Sequence, residues 1–311
     1  MTWVGLDVGG TKVLAVEMDA DGAITDKVER IPTPRGADAL IDELAQLVGR
    51  FGRPQAVGVG IPGLVDLAGR LRVGPNLPNI ADLPVADELS RRIGIPVAVD
   101  NDATCATWAE EQLGAARDIA DVVLVTLGTG IGGGIVAGGV LQRGANGFAG
   151  EPGHMVVDPN GPHCPCGRRG CWERYASGNG LGRLGREAAQ AGRAPRLVEL
   201  AGGDAESVRG EHVTTAAADG DPGALAVCRD WGWWTGLGIA NLVDLLDPAI
   251  VVIGGGLVEA GDVLLAPTRA AFKDLVLAAE HRPEVPIVAA QLGERAGAIG
   301  AALIARDRGG A

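Results

Sequence analysis

The segment EPGHMVVDPNGPHCPCGRRGCWE, residues 151–173, gathers three of the chain's five cysteines and two of its four histidines. Cys164, Cys166 and Cys171 are separated by one and four residues, and His154 stands ten positions before the first. Three thiolates and an imidazole have the donor number and softness of a tetrahedral zinc site. The stretch is rich in Gly and Pro and poor in apolar residues, so a metal would have to hold its shape. A disulfide or unligated thiols are the alternatives. One-residue spacing strains a Cys164–Cys166 bridge, and a thiol-poor chain without a signal-peptide pattern is expected in the reducing cytosol. Spacing alone does not choose between His154 and His163 as the nitrogen donor.

Three glycine turns form a second group. Asp7-Val8-Gly9-Gly10-Thr11-Lys12 places a carboxylate at a strand end, then bare backbone amides, a hydroxyl and an ammonium. Such a turn can cradle phosphate through N–H groups, with Lys12 as a point charge and Asp7 near a magnesium ion or its waters. Leu127-Gly128-Thr129-Gly130-Ile131-Gly132-Gly133-Gly134 repeats the theme. Gly254-Gly255-Gly256 follows the strand pattern Ile250-Val251-Val252-Ile253 and could lay its backbone against a planar base. The first two turns lack the GxxxxGK[ST] pattern, and no helix follows them as a dinucleotide fold requires. Together the three suggest a cleft that grips a nucleoside triphosphate from both sides.

Asp100-Asn101-Asp102 lies at the end of a strand pattern. Asp102 there can take a proton from a hydroxyl nucleophile, and Asn101 can hydrogen-bond a neighbouring hydroxyl. Either residue would equally serve as the N-cap of the next helix. Glu151, His154 and Glu173 offer acceptors and a donor suited to sugar hydroxyls, although carboxylates are also common on surfaces.

These residues need a scaffold, and the chain has the material for one. It has 311 residues, 47% of them hydrophobic, which favours two lobes over one. A net charge of −12 and a pI near 4.8 argue against nucleic acid and anionic membranes as partners. The opening TWVGLDVGG has no basic n-region or apolar h-region, and no apolar run reaches membrane-spanning length, so a cytoplasmic protein is expected. Fifty glycines, about twice the usual share, cluster in loops that approach a ligand closely.

The pattern predicts strands at Thr2–Val8, Val13–Met18 and Ile24–Arg30, then an amphipathic helix over Asp38–Phe51 and a strand at Gln55–Ile61. Residues 64–84 read as loop. A helix over Val85–Ile93, a strand at Val97–Val99 and a helix over Ala103–Leu113 follow. A second round opens with a strand at Asp121–Leu127, a glycine loop to Gly134 and a strand over Ile135–Leu141, a weak internal repeat of topology. Tyr175–Ala191 and much of 195–246 read as helical, with Trp231, Trp233 and Trp234 in the packing. Strands at Ala249–Ile253 and Pro286–Ala290 flank a helical stretch, and Ala296–Arg306 reads as a small-residue helix that packs tightly.

DVGGTK, LGTGIGGG, ExGH followed by CxCGxxGCxE, and VIGGGL, in that order along nearly the whole chain, resemble the signature of the ROK family (repressors, open reading frames, kinases). Tyr175-Ala176-Ser177-Gly178 makes the chain most similar to the family's bacterial ATP-dependent glucokinase branch. The resemblance implies an α/β, two-lobed, actin-like ATPase (ribonuclease H-like) fold with ligands in the cleft between lobes. The expected division is 1–108 plus 297–311 for the smaller lobe and 109–296 for the larger, zinc-bearing one. It implies structural Zn2+ on His154, Cys164, Cys166 and Cys171, with His163 a bystander. Asp102 would be the general base, and Gly63, Asn76, Asn101, Asp102, Glu151, His154 and Glu173 would surround the sugar. Asp7, Gly9, Gly10, Thr11, Lys12, Thr129, Gly130 and Gly132 would attend the phosphates and Mg2+, and Gly255 and Gly256 the adenosine of ATP.

The implied activity is transfer of the γ-phosphate of ATP to the glucose 6-hydroxyl. Kinases for N-acetylmannosamine, N-acetylglucosamine, mannose or fructose share most of these residues. The family's sugar-sensing repressors carry an N-terminal helix-turn-helix, for which a phosphate loop starting at Asp7 leaves no room. A homo-oligomer, dimer or tetramer, is the expected assembly.

Overall fold

A computed structural model describes residues 1–74, 77 and 80–309. Asn76 lies outside the described residues. In chain order the elements are β1 (Trp3–Val8), β2 (Lys12–Met18), β3 (Ile24–Pro32), α1 (Ala37–Gly49), β4 (Ala56–Ile61), β5 (Leu64–Val65), β6 (Leu71–Val73) and β7 (Ala81–Leu83). Then come α2 (Val85–Ile93), β8 (Val97–Asn101), α3 (Asp102–Leu113), β9 (Val122–Leu127), β10 (Ile131–Ala137) and β11 (Val140–Leu141). The remainder is α4 (Glu173–Ala176), α5 (Gly178–Gln190), α6 (Pro195–Leu200), α7 (Gly210–Ala218), α8 (Pro222–Leu246), β12 (Ile250–Gly254), α9 (Asp262–Leu275), β13 (Ile287–Ala289) and α10 (Ala296–Gly309).

Two five-stranded sheets have the same layout, β3-β2-β1-β4-β8 and β11-β10-β9-β12-β13. The repeat of topology expected from the glycine turns is therefore present at the level of whole sheets. β5, β6 and β7 form a small third sheet where the sequence reads as loop. Strands of two and three residues are too short to leave a period-2 signature.

The chain divides into two compact units. One comprises residues 1–124, 134–150 and 290–311, and the other 125–133 and 151–289. The first unit runs past the expected break at residue 108 because α3 is one continuous helix to Leu113. Glu110, fully buried near its end, accepts hydrogen bonds from the Gln291 and Leu292 amides at 2.9 and 2.8 Å. That carboxylate ties the residues leading into α10 to α3, so the unit resumes at 290 rather than 297.

The two faces of the first sheet are built differently. Val4, Leu6 and Val8 of β1 and Val57, Val59 and Ile61 of β4 alternate onto one face and pack with Leu40, Leu44 and Leu47 of α1 and Leu89 of α2. On the opposite face the same strands carry glycines at the centre: Gly5 pairs with Gly58, and Asp7 with Gly60. α10 lies in that groove. A Cβ on Gly5 would come within 1.9 Å of the Ala298 carbonyl oxygen, and one on Gly58 within 1.8 Å of that of Ala301. On its flank toward α3, a Cβ on Gly300 of α10 would meet the Cys105 carbonyl oxygen at 1.7 Å. The tight packing expected of this small-residue helix is thus realised by glycines on both partners. Because the obstructing atoms are backbone, Gly58→Ala is expected to destabilise by about 1–3 kcal/mol or more, read as a lowered denaturant midpoint at unchanged m-value.

In the second unit, α8 and α9 pack through Gly232 and Gly236, which face Pro267 and Ala271. Of the α8 tryptophans, Trp231 is buried, whereas Trp233 is 44% exposed and does not serve the expected packing role. The predicted helix over Tyr175–Ala191 is two helices. Ser177 has extended backbone and caps α5 by accepting from the Gly180 amide at 3.1 Å. No helix among the described residues is long and apolar enough to cross a membrane.

Candidate active site

In the first unit, parallel pairing lines up Asp7, Gly60 and Asp100 across β1, β4 and β8. The absence of a side chain at Gly60 leaves space beside the turn from β8 into α3; a Cβ there would stand 3.4 Å from the Asp102 Cα. Asn101 is the N-cap, its Oδ1 accepting from the Thr104 amide at 3.0 Å while its Nδ2 donates to the Gly63 carbonyl at 3.1 Å. The capping role therefore falls to Asn101 and leaves Asp102 to the first helical position, where Oδ1 accepts the Ala103 amide at 2.9 Å. An amide oxygen and an NH2 group each hold a further hydrogen-bonding position, so Asn101 can still bind a hydroxyl. Gly63, at φ +118°, leaves no room for a side chain, since a Cβ would meet the Val73 carbonyl oxygen at 2.1 Å.

Asp7 and Asp102 feel one another. Burial, and then the charge of Asp102, push the Asp7 carboxyl up to about 7, with Lys12 opposing. Burial also raises Asp102, against the hydrogen bond from the Ala103 amide. In the hairpin turn beside them, the Gly9 amide donates to the Lys12 carbonyl at 2.9 Å and so is taken up inside the turn. Gly10 and Thr11 are exposed. Lys12 Nζ pairs with Glu294 at 2.6 Å, and Arg30 holds the other Glu294 oxygen.

In the second unit, the donor atoms of His154, Cys164, Cys166 and Cys171 all lie within 4.8 Å of one another. His154 Nδ1 is 3.9 Å from the Cys164 sulfur, and the Cys166 and Cys171 sulfurs are 3.5 Å apart. Zn–S bonds of about 2.3 Å at tetrahedral angles separate sulfurs by about 3.8 Å, so the set fits a zinc ion. Burial resists ionisation of Cys166, but the Arg168 amide and the neighbouring thiols outweigh it and bring the thiol down to about 7. His163 bridges Arg169 instead and is outside the cluster. The loop is anchored behind the metal set. Trp172 is fully buried and its indole N–H donates to the Trp234 carbonyl at 2.8 Å. Gly238 makes room for that ring, since a Cβ there would lie 2.0 Å from it. Tyr175 stacks on Trp234 at 3.9 Å and donates to Asp158 at 2.7 Å.

Glu173, two residues after Cys171, accepts from the Ile131 amide at 3.0 Å. Gly130 lets that carboxylate come close: a Cβ there would stand 2.3 Å from its oxygen, so a larger residue would push the Glu173 side chain aside. The second glycine turn is shorter than its sequence suggests. β10 begins at Ile131, so Gly132–Gly134 are strand, where Gly132 donates to the Thr126 hydroxyl and Gly134 makes space for Thr107.

A cavity of about 1100 Å³ opens within the second unit. Gly128 and Thr129 of the second turn and Gly256 of the third line it. Gly130, Gly132 and Gly255 are not on its wall. Gly255 is a turn residue at φ +85° pressed on the Leu127 backbone. The first turns of α5 (Gly178, Asn179) and α7 (Gly210, Glu211) face the cavity, with Arg186 and Thr214. Helix N-termini carry partial positive charge and suit anionic groups. These helical positions escape a sequence reading because polar residues there look like any solvated face; only Gly178 and Gly182, one turn apart on α5, hint at a close approach.

The ROK family pattern matches residues 3–308. A glucokinase of Streptomyces coelicolor is 39% identical over 310 residues, covering 98% of this chain and 97% of that protein. An N-acetylmannosamine kinase of Escherichia coli is 37% identical over 316 residues, covering 98% and 99%. A crystal structure of a ROK family glucokinase from Streptomyces griseus, in complex with glucose and AMPPNP, superposes with a TM-score of 0.87 at 39% identity, covering 99% and 100%. The α/β architecture, with two sheets of like order, is the actin-like ATPase fold. In sequence pattern, in fold and over almost every residue, this chain belongs to the ROK family.

Proposed function

We propose that the protein is an ATP-dependent hexose kinase that phosphorylates glucose at its 6-hydroxyl. The observation that carries this reading is Asp102, raised by burial and placed at the first position of α3 within the electrostatic reach of Asp7. A carboxylate with a raised pKa is a better proton acceptor, and a hydroxyl held against it becomes the attacking oxygen. Phosphoryl transfer asks little covalent chemistry of the protein, so positioning and charge stabilisation carry the rate.

The sugar's hydroxyls are assigned to Gly63, Asn76, Asn101, Glu151, His154 and Glu173, with Asp102 as base. His154 turns Nδ1 toward the thiols, which leaves its other nitrogen for a hydroxyl. A zinc ion on His154, Cys164, Cys166 and Cys171 would supply rigidity and take no part in proton or phosphoryl transfer. Asp7 would hold Mg2+ or its waters: with Asp102 it forms a pair of mutually repelling carboxylates that a divalent cation would relieve. Gly10, Thr11, Lys12 and Thr129 are assigned to the phosphates, and the cavity bounded by Gly128, Gly256 and α7 to the adenosine. The two compact units are read as the two lobes of the kinase, acting in the cytoplasm as a homo-oligomer.

The second reading, a kinase for N-acetylmannosamine, is favoured by the 37% identity to such an enzyme. A coupled assay of ATP consumption against glucose, mannose, fructose and the two N-acetyl hexosamines decides between them. Glucose is expected to give the highest kcat/KM. An N-acetyl sugar ahead of glucose would overturn the specificity, and inertness to all five the kinase itself.

A further inference from the structure

Asp100 is the one carboxylate of the Asp100-Asn101-Asp102 run that the proposed chemistry leaves without a role, and it is 4% exposed. Burying a charge is costly unless it is paired and hydrogen-bonded. Here the pairing is generous. Arg143 Nε donates to Asp100 Oδ2 at 2.5 Å, and a second guanidinium, Arg308 at the end of α10, lies 3.7 Å from the same oxygen. Burial, and then the charge of Arg143, lower the Arg308 pKa, as expected where two cations share one counter-ion.

The other Asp100 oxygen faces the catalytic turn, accepting the Asn101 amide at 3.0 Å. The turn is then closed locally, by the Asn101 cap on Thr104 and by Asp102 on Ala103. Long-range ties on this turn come from the Asn101 side-chain amide to the Gly63 carbonyl and, on the Asp100 side, from Arg143, forty-three residues away in sequence, with Arg308 behind it. Arg143 is itself fixed, because its carbonyl accepts the Ala149 amide at 3.1 Å and closes the segment that leads to Glu151. Gly147 within that segment abuts Val65 and Asp66 so closely that a Cβ would come within 2.5 Å of the Val65 carbonyl oxygen. The guanidinium is thus delivered to Asp100 from a braced loop.

We propose that the buried Asp100–Arg143 pair, backed by Arg308, is a positioning element that sets where the Asp102 carboxylate stands for proton abstraction. Neither residue touches the substrate; both act through the backbone of Asn101. The proposal rests on the kinase reading with Asp102 as base. Breaking a buried pair from one side leaves an uncompensated charge, whereas removing both partners does not. Asp100→Asn leaves two guanidiniums facing each other and is the more harmful single change.

The test is steady-state kinetics with the hexose best used by the wild type, together with thermal melting, on Arg143→Gln, Arg143→Lys, Asp100→Asn and the Asp100→Asn/Arg143→Gln double variant. Arg143→Gln is expected to lower kcat about 10–100-fold with the KM for sugar and for ATP within about threefold of wild type. Arg143→Lys, which keeps the charge, and the double variant should each recover part of that loss, because the two residues act as one unit. Folded single variants with kcat within about twofold of wild type would overturn the proposal, as would a double variant whose losses are simply the product of the singles. If Arg143→Gln does not fold, Arg143→Lys carries the test, and an unchanged kcat in that variant counts against it. A wild type inert toward every hexose refutes the kinase reading, whereas an active wild type with indifferent Arg143 and Asp100 variants refutes only this inference.

Discussion

Asp102→Asn is expected to lower kcat for glucose by about 10²–10⁴-fold, the contribution of a positioned general base. The amide keeps the oxygen that accepts the Ala103 N–H, so the first turn of α3 should survive. KM values for glucose and ATP should change little, since only the transition state gains from proton acceptance. The same substitution should affect stability in a direction fixed by the pKa shifts. Asp7 is raised from 3.8 to about 7, and Asp102 is raised as well. A carboxyl raised on folding contributes stability that is fully present below its unfolded value near 3.8 and is lost as pH rises through the folded value. At pH 8, above the value near 7 for Asp7, the wild type carries that carboxylate ionised beside Asp102, a second carboxyl whose charged form burial disfavours. Asp102→Asn removes one, and should melt at or above the wild-type temperature at pH 8, with that advantage fading as the pH is lowered. A variant that loses activity together with a large drop in melting temperature at pH 8 would remove Asp102 from the role of base. The wild-type rate should rise with pH along a limb displaced above the ordinary carboxylate range, read from a kcat/KM profile.

Loss of the metal set is the second large effect. Cys166→Ser is expected to abolish stoichiometric zinc, about one ion per chain in the wild type by elemental analysis, because a structural site needs all four ligands. Without the ion, the bonds that tie residues 151–173 to the rest of the unit cluster at the C-terminal end of the segment, at Trp172, Glu173 and the neighbouring Tyr175. His154 and Glu151 lie on the far side of the cysteines from those anchors in sequence. The KM for glucose should therefore rise about tenfold or more, while the KM for ATP stays within about twofold, since none of the residues lining the cavity proposed for the nucleotide is a metal ligand. An unchanged glucose KM in a zinc-free variant would refute the link between metal and sugar recognition. Treating the wild type with a chelator should reproduce the effect, and added zinc should reverse it.

Much of this was legible in the sequence where the physics is local. α2 falls on the predicted Val85–Ile93 because Leu89 and the charged residues around it declare an amphipathic period, and Gly94 at φ +71° ends it. The cysteine cluster was legible because ligand chemistry restricts spacing. What escaped depends on partners distant in the chain. Gly132–Gly134 read as a loop in isolation, but inside a sheet a missing side chain is room for another residue, here Thr107 at Gly134. Arg186 and Thr214 give no local sign that they face a cavity. Trp233, by contrast, looked like packing and is exposed, because α8 turns only one side to its neighbours.

The glycine groove under α10 has a consequence for how the chain is made. The helix that completes the apolar cluster of Leu14, Val16 and Met18 supplies Ala298, Ile299, Ala302 and Leu303 from the far end of the polypeptide. On a ribosome the N-terminal sheet emerges first, yet its glycine face stays bare until the last residues leave the exit tunnel. The second unit, whose final residue is Ala289, has all its parts available earlier. Folding order should therefore run against synthesis order, with the later-made unit maturing first. A released chain truncated before residue 296 should resist protease over 151–289 and remain open to it over 1–124.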